Sequence, residues 1–256
     1  MDDTLLDENG KIPEDFNPVL AHLVQNKIQM VIASGRPYHT LKPIFGSKAG
    51  QLSYICDNGA FVVHRNKILV KSLLDKKVVD EILEASRTRP NNLTILCALD
   101  SAYIENKEAR IYDFLKKYYT NLTVVDSLTG LDKEVDKITI YNQTDTLDNL
   151  NLLFKPKFGS FLYVINSGNF WIDIANLGIN KGTGIKKIME ADQISSAEVM
   201  AFGDYYNDIE MLQAAAYSFV MANAPEAMKQ YGKYKAQSNR EHGVLQAIRE
   251  YGLATN

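Results

Sequence analysis

Polar and apolar positions along this chain change their rhythm twice. Over the first third, amphipathic stretches alternate with short continuous apolar runs. Leu20, Leu23 and Val24 mark one face of a helix that Asn17 and Pro18 are placed to open as N-cap and first helical residue. Residues 28–33 (IQMVIA) follow, apolar enough for a strand buried on both faces. A second helix is predicted around residues 38–45, then a strand over 52–56, a turn at Asp57, Asn58 and Gly59, and a hairpin over 61–70 broken at Arg65 and Asn66. From about residue 75 to 174 the alternation loosens. Helices at 78–85, 109–118 and 147–154 are separated by strands at 93–97, 102–105, 137–141, 161–165 and 170–174, the pattern of an α+β unit. After Lys181 the first rhythm returns, with a helix to Ala191, a strand at 198–202, a helix to Ala215, a strand at 217–221, a helix from Pro225 and a last helix over 243–251. The outer pieces, residues 1–74 and 175–256, are therefore expected to fold together as one α/β domain with a parallel, Rossmann-like sheet. Residues 75–174 are expected to form a separate α+β insert.

A length of 256 residues lies where one domain tends to become two, which suits a main domain with an insert. Composition narrows the partners: the chain is 46% hydrophobic and 23% charged with a formal net charge of -3, and no basic stripe or like-charge block points to nucleic acid or a membrane surface. Residues 1–10 are acidic with no apolar core of a signal peptide, and no apolar stretch approaches bilayer length, so a cytoplasmic protein is expected. Cys56 and Cys97 sit in apolar strand contexts without metal-type spacing, and read as buried free thiols in a reducing compartment.

Candidate chemistry is concentrated where apolar runs end. Residues 199–202 read as a buried strand, Gly203 permits a sharp turn, and Asp204, Asn207 and Asp208 follow at the strand's carboxyl edge, where open α/β sheets bind ligands. Asp204 and Asp208 are four apart at the start of a predicted helix, so both can face one point and, with an amide beside them, suit a hard cation such as Mg2+. The plainer alternative is a set of acids that caps the helix and matches its dipole. Ser34 and Gly35 in IASGRP follow a strand, so a hydroxyl and backbone amides can cradle an anion, although a simple strand-to-helix turn has the same look. Lys181 in NKGTG opens a helix, where a cation opposes the dipole and calls for an anionic partner; a solvated lysine is the alternative. No GxGxxG follows a strand, which argues against a nucleotide-cofactor oxidoreductase.

Taken in order, MDDTLL at residues 1–6, IASGRP at 32–37, NKGTG at 180–184 and GDYYND at 203–208 resemble the haloacid dehalogenase (HAD) superfamily, specifically its Cof-type, subfamily IIB phosphatases. ICDNGA at 55–60 and VMANAPEAMK at 220–229 are similar to that subfamily as well, and the likeness covers nearly the whole chain. The resemblance implies a Mg2+-dependent phosphatase of small phosphorylated metabolites, such as sugar phosphates, working through an aspartyl-phosphate. Asp2 would be the general acid/base and a metal ligand. Ser34, the amide of Gly35, Lys181 and Asn207 would hold the phosphoryl group, Asp204 would bind the metal, and Asp208 would support the metal shell or Lys181. The insert falls where these hydrolases carry their specificity cap, in which Tyr103, Arg110, Trp171 and Asp173 are candidate substrate contacts; Trp171 reads as cap core before it reads as a stacking platform. Two departures stand out. Asp3 replaces a glycine, in a place expected to turn away from the phosphate. The nucleophilic aspartate is expected immediately before Met1, at the end of an apolar strand central to the sheet. No nucleic-acid or membrane partner is implied, and a monomer or homodimer is expected. The alternatives are an inactive phosphometabolite-binding protein of the same fold, or a phosphomutase or sucrose-phosphate type relative.

Overall fold

The computed structural model describes residues 1–252, whose strands pair into three sheets. In the first, β1 (Val31–Ala33), β2 (Ser53–Cys56), β3 (Phe61–His64) and β4 (Lys67–Lys71) lie in chain order, parallel from β1 to β2 and antiparallel after that. The second contains β5 (Leu93–Ala98), β6 (Ala102–Ile104), β7 (Leu122–Val124), β8 (Val135–Tyr141), β9 (Leu162–Gly168) and β10 (Trp171–Asn176) in the order β7-β6-β5-β8-β10-β9. Its pairings are antiparallel except β6 with β7. The third is parallel throughout and holds β11 (Met200–Gly203), β12 (Tyr217–Met221) and β13 (Tyr234–Ala236).

Sheets one and three share their apolar layers. On one side Ile32, Tyr54 and Cys56 join Phe219 and Met221. On the other, Ile55 and Val62 join Val199, Ala201 and Val220. Strands covered on both faces in this way need continuous apolar runs, and these segments have them. β1 and β11 are edge strands of their sheets, and among the described residues no ladder joins them.

The middle sheet follows a period of two instead. Ile138, Ile140, Ile172 and Ile174 point to one face and pack with Ile82 and Leu83 of the helix Lys76–Arg87, whose N-terminus is capped by the Asp75 carboxylate accepting from the Lys77 amide at 2.8 Å. Lys137, Thr139 and Asp173 occupy the opposite face; β8 and β10 place Thr139 directly across from Asp173.

Element boundaries moved where local chemistry overrode the pattern. The first helix is Phe16–Gln25 with Asp15 at its N-cap, so Asn17 and Pro18 lie inside the first turn, where a missing proline N–H costs nothing. Lys27 takes a positive φ of 57° and ends that helix region, leaving only Val31–Ala33 of the predicted 28–33 run as strand. The predicted 109–118 helix stops at Leu115. A short 3-10 turn, Glu226–Tyr231, replaces the helix expected from Pro225. β7 and β13, three residues each and partly exposed, were not anticipated. Cys56 and Cys97 are free and buried, and burial raises both thiol pKa values. Among the described residues no helix is long and apolar enough to cross a membrane.

Candidate active site

Gly203 ends β11, and a Cβ there would lie 2.5 Å from the Cβ of Asp208, so only glycine lets the 203–208 turn fold back on itself. Asp208 closes that turn. Its Oδ2 accepts from the amides of Asp204 at 3.1 Å and Tyr205 at 3.3 Å, and its Oδ1 accepts from Lys181 Nζ at 2.7 Å. Lys181 begins the helix Lys181–Asp192, positioned by Asn180, whose side chain accepts from the Thr183 amide at 2.8 Å in a capping box. Ser34 leaves β1 with its amide donating to the Ile55 carbonyl at 2.9 Å, and its Oγ accepts from the Arg36 amide at 3.1 Å. The Arg36 guanidinium grips Asp2 with two hydrogen bonds, 2.5 Å to Oδ1 and 3.0 Å to Oδ2. Asn207 donates to Asn58 Oδ1 at 3.0 Å.

These segments surround one cavity of about 380 Å³. Asp2, Ser34, Gly35, Lys181, Asp204, Asn207 and Asp208, the catalytic, phosphate and metal candidates of the sequence, stand on its wall. The six-stranded sheet supplies the facing wall through Lys137, Thr139, Phe170, Trp171 and Asp173, with Tyr118 beside them. Trp171 packs with Tyr141, Tyr118 and Phe114 at centroid distances of 4.6, 5.0 and 6.1 Å, and it also borders the cavity. Tyr103 and Arg110 do not line it; the first donates to Asp100 at 2.8 Å and the second, on the surface, to Glu108 at 2.9 Å. Asp3 is on the wall rather than turned from it, and its φ of 52° is the left-handed conformation in which glycine is strain-free. Arg36, Lys137, Thr139 and Tyr118 were missed. The alternation DKITIY carried the signal for two of them, as polar residues at every second place.

Burial opposes ionisation of Asp208, yet the Lys181 ammonium beside it holds its carboxyl below the ordinary carboxylate range. Asp204 behaves oppositely: burial first, then the neighbouring Asp208 charge, push it up to about 6. Among the described residues no group of three His, Cys, Asp or Glu side chains is arranged to hold a metal. Of the expected trio Asp2, Asp204 and Asp208, Asp208 faces Lys181 and the turn amides and Asp2 faces Arg36. Asp208 is thereby a support for Lys181. Asp204 remains a desolvated carboxylate on the cavity wall, accepting one hydrogen bond from the Thr4 hydroxyl. Such a donor fits Mg2+, which takes one or two carboxylates and completes its shell with water and phosphate oxygens.

The profile of the haloacid dehalogenase-like hydrolases matches residues 1–248. The 5-amino-6-(5-phospho-D-ribitylamino)uracil phosphatase YbjI of Escherichia coli is 30% identical over 250 residues, 97% of this chain and 92% of that protein. The crystal structure of SMU.1108c from Streptococcus mutans superposes with a TM-score of 0.92 at 29% identity, covering 99% of this chain and 97% of that one. A HAD subclass IIB sugar phosphatase shares the fold, with a TM-score of 0.86 at 22% identity over 99% of this chain and 97% of that one. The chain belongs to the haloacid dehalogenase-like hydrolases.

Proposed function

We propose that this member of the family, a phosphoric monoester hydrolase, works with Mg2+ on a small phosphorylated metabolite whose phosphate sits between Ser34, Gly35, Lys181 and Asn207, with Asp2 as general acid and base. One observation carries the reading: four segments far apart in sequence converge on one cavity, bringing a buried lysine, a hydroxyl and an amide together opposite two carboxylates. Residues 75–174 act as its cap and the rest as its core. Phosphoryl transfer asks a protein for an in-line nucleophile and for neutralised charge around the phosphoryl oxygens. Lys181 supplies fixed positive charge, kept in place by Asp208. Asp2 hands a proton to the leaving alkoxide and then takes one from the attacking water, with Arg36 orienting its carboxylate. Bound by Asp204 and Asp2, Mg2+ would offset the remaining negative charge of the phosphoryl group. The attacking carboxylate belongs, on this reading, two positions ahead of Asp2.

The aromatic wall of Tyr118, Phe170 and Trp171 favours a phosphate ester that carries a flat ring. The phosphoribitylamino-uracil named for the Escherichia coli relative combines such a ring with a phosphorylated polyol. It is the substrate we assign, acted on in the cytoplasm by a monomer or homodimer. The test is phosphate release from that compound and from a sugar-phosphate panel, with Mg2+ or EDTA, by the chain carrying an aspartate two positions ahead of Asp2. We expect Mg2+-dependent release that Lys181→Met lowers by about 10² to 10³-fold, the range seen when one charge-stabilising donor is removed. Release indifferent to both EDTA and Lys181→Met would sink the reading.

A further inference from the structure

The Asp57–Gly59 turn plays no part in the chemistry above, yet it touches three of the four segments that do. All three residues have positive φ, 47°, 54° and 105°, a conformation that Asp and Asn tolerate through short polar side chains and Gly through having none. A Cβ on Gly59 would lie 2.3 Å from the carbonyl oxygen of Asn180, so the turn is pressed against the start of the Lys181 helix. Its amides hold the phosphate loop: Asn58 donates to the Ser34 carbonyl at 3.1 Å and Asp57 to the Arg36 carbonyl at 3.2 Å. The Asn58 side chain faces two ways, accepting from Asn207 at 3.0 Å and donating to Asp173 Oδ2 at 2.6 Å.

Asp173 is on β10 of the six-stranded sheet, and its other oxygen accepts from Thr139 at 2.6 Å. Lys137, two places along β8, donates to the Gly35 carbonyl at 2.5 Å and lies 3.4 Å from Asp57 and 3.5 Å from Asp173. A sheet that alternates polar and apolar residues ordinarily turns its polar face to water. Here Lys137, Thr139 and Asp173 are 2, 2 and 4% exposed, and the partners that satisfy them are the phosphate loop and the turn beneath it. A Cβ on Gly35 would stand 3.4 Å from both Asn58 Oδ1 and Asp173 Oδ2, so the loop itself is packed against this link.

We infer that Asn58, held by Asp173 and Thr139 of the six-stranded sheet, is a positioning residue that makes seating of that sheet and assembly of the phosphate cradle one event. The Asn58 main-chain N–H fixes the peptide that presents the Gly35 amide and its side chain aims the Asn207 amide, while Lys137 fixes the peptide that follows Gly35. Asn58 does not line the cavity, so its influence on a bound phosphate is indirect. The inference rests on the reading of Ser34, Gly35, Lys181 and Asn207 as the phosphate cradle. By linkage, the hold of the sheet on Asn58 sets the affinity for phosphate.

The test is calorimetric binding of inorganic phosphate to the full chain and to Asn58→Gly, Asp173→Asn and the double variant, with thermal melts alongside. Glycine takes the backbone conformation of Asn58 without strain, so Asn58→Gly removes the amide and keeps the turn. Thr139→Val probes the same link without removing a charge if Asp173→Asn does not fold. We expect each single variant to weaken phosphate about tenfold and the double variant to weaken it no further, the non-additivity of one connected unit. Wild-type affinity in Asn58→Gly, or effects that multiply in the double variant, would overturn the coupling while leaving the cradle intact. Wild-type protein and Ser34→Ala that bind phosphate equally, or not at all, would instead overturn the cradle reading, and the coupling with it.

Discussion

Gly182 is the second residue of the helix Lys181–Asp192 and is pressed against the backbone of Glu210. Replacing it with alanine sets two effects against each other. Alanine in a helix gains about 1 kcal/mol over glycine. The added Cβ, however, would meet the Glu210 carbonyl carbon and oxygen at 2.5 Å and its Cβ at 2.6 Å. Main-chain atoms cannot rotate away, so the helix start must retreat by about 1 Å to reach ordinary carbon contact. Overpacking of this kind costs about 1–3 kcal/mol, and a backbone clash belongs at the upper end. The net loss comes to roughly 2 kcal/mol, or about 4–8 °C in Tm for a chain of this size. The same retreat would draw Lys181 Nζ off Asp208 Oδ1, now 2.7 Å away, and past hydrogen-bond range. Activity should therefore fall by about 10²-fold, the scale of a 1 Å misplacement. Circular-dichroism melts and phosphate release check both halves. An alanine variant that melts at or above the wild-type temperature with full turnover would show that this contact does not fix the helix, and the account of how Lys181 is positioned would fail.

Asp208→Asn leaves the buried Lys181 charge without its partner, and breaking a buried pair in this way costs about 3–5 kcal/mol. Urea titration reads this directly, and a loss under about 1 kcal/mol would mean that Lys181 is neutralised by something else. Asp57 is pushed up to about 6, first by burial, against the pull of Lys137 and with the help of Asp173. Its folded pKa is above the unfolded value, so it contributes stability that is fully present below about pH 4 and lost as pH rises through about 6, on the order of 3 kcal/mol. Asp57→Asn should remove that slope, and denaturation curves at pH 4.5 and 7 with the same pH dependence in both proteins would contradict the assignment.

Much of the architecture was legible because its signals are local. A strand covered on both faces has to be apolar throughout, and residues 217–221 show this well enough for prediction and structure to coincide at Tyr217–Met221. The turns at Gly203 and Asp57–Gly59 announced themselves through residues that tolerate sharp or left-handed backbone. Ser34, Gly35, Lys181, Asp204, Asn207 and Asp208 were found because they follow a strand or open a helix, whereas Asp2 came from the family resemblance alone. What sequence spacing left open was the direction of each side chain. Asp204 and Asp208, four apart, can face one point in a regular helix, but the chain between them forms a 3-10 turn, Tyr206–Asp208. Asp208 therefore curls back onto the amides of Asp204 and Tyr205.

Lys137 and Thr139 were both missed for another reason. In DKITIY and WIDIAN every second residue is apolar, and the pattern correctly gives one face of β8 and β10 to the core beneath the helix Lys76–Arg87. The pattern does not say what the other face meets, because water and a polar protein surface select the same residue types. Their energetic demands differ. Against water, Lys137 and Asp173 need no fixed partners; buried at 2 and 4% exposure, each must be paired or suffer a desolvation cost of several kcal/mol. The partners are there, in the Gly35 carbonyl, Asp57, Asn58 and Thr139. Reading that face as a surface for the loop at Ser34–Arg36 therefore required knowing which segment lies opposite, information carried by chain topology rather than by the strands themselves.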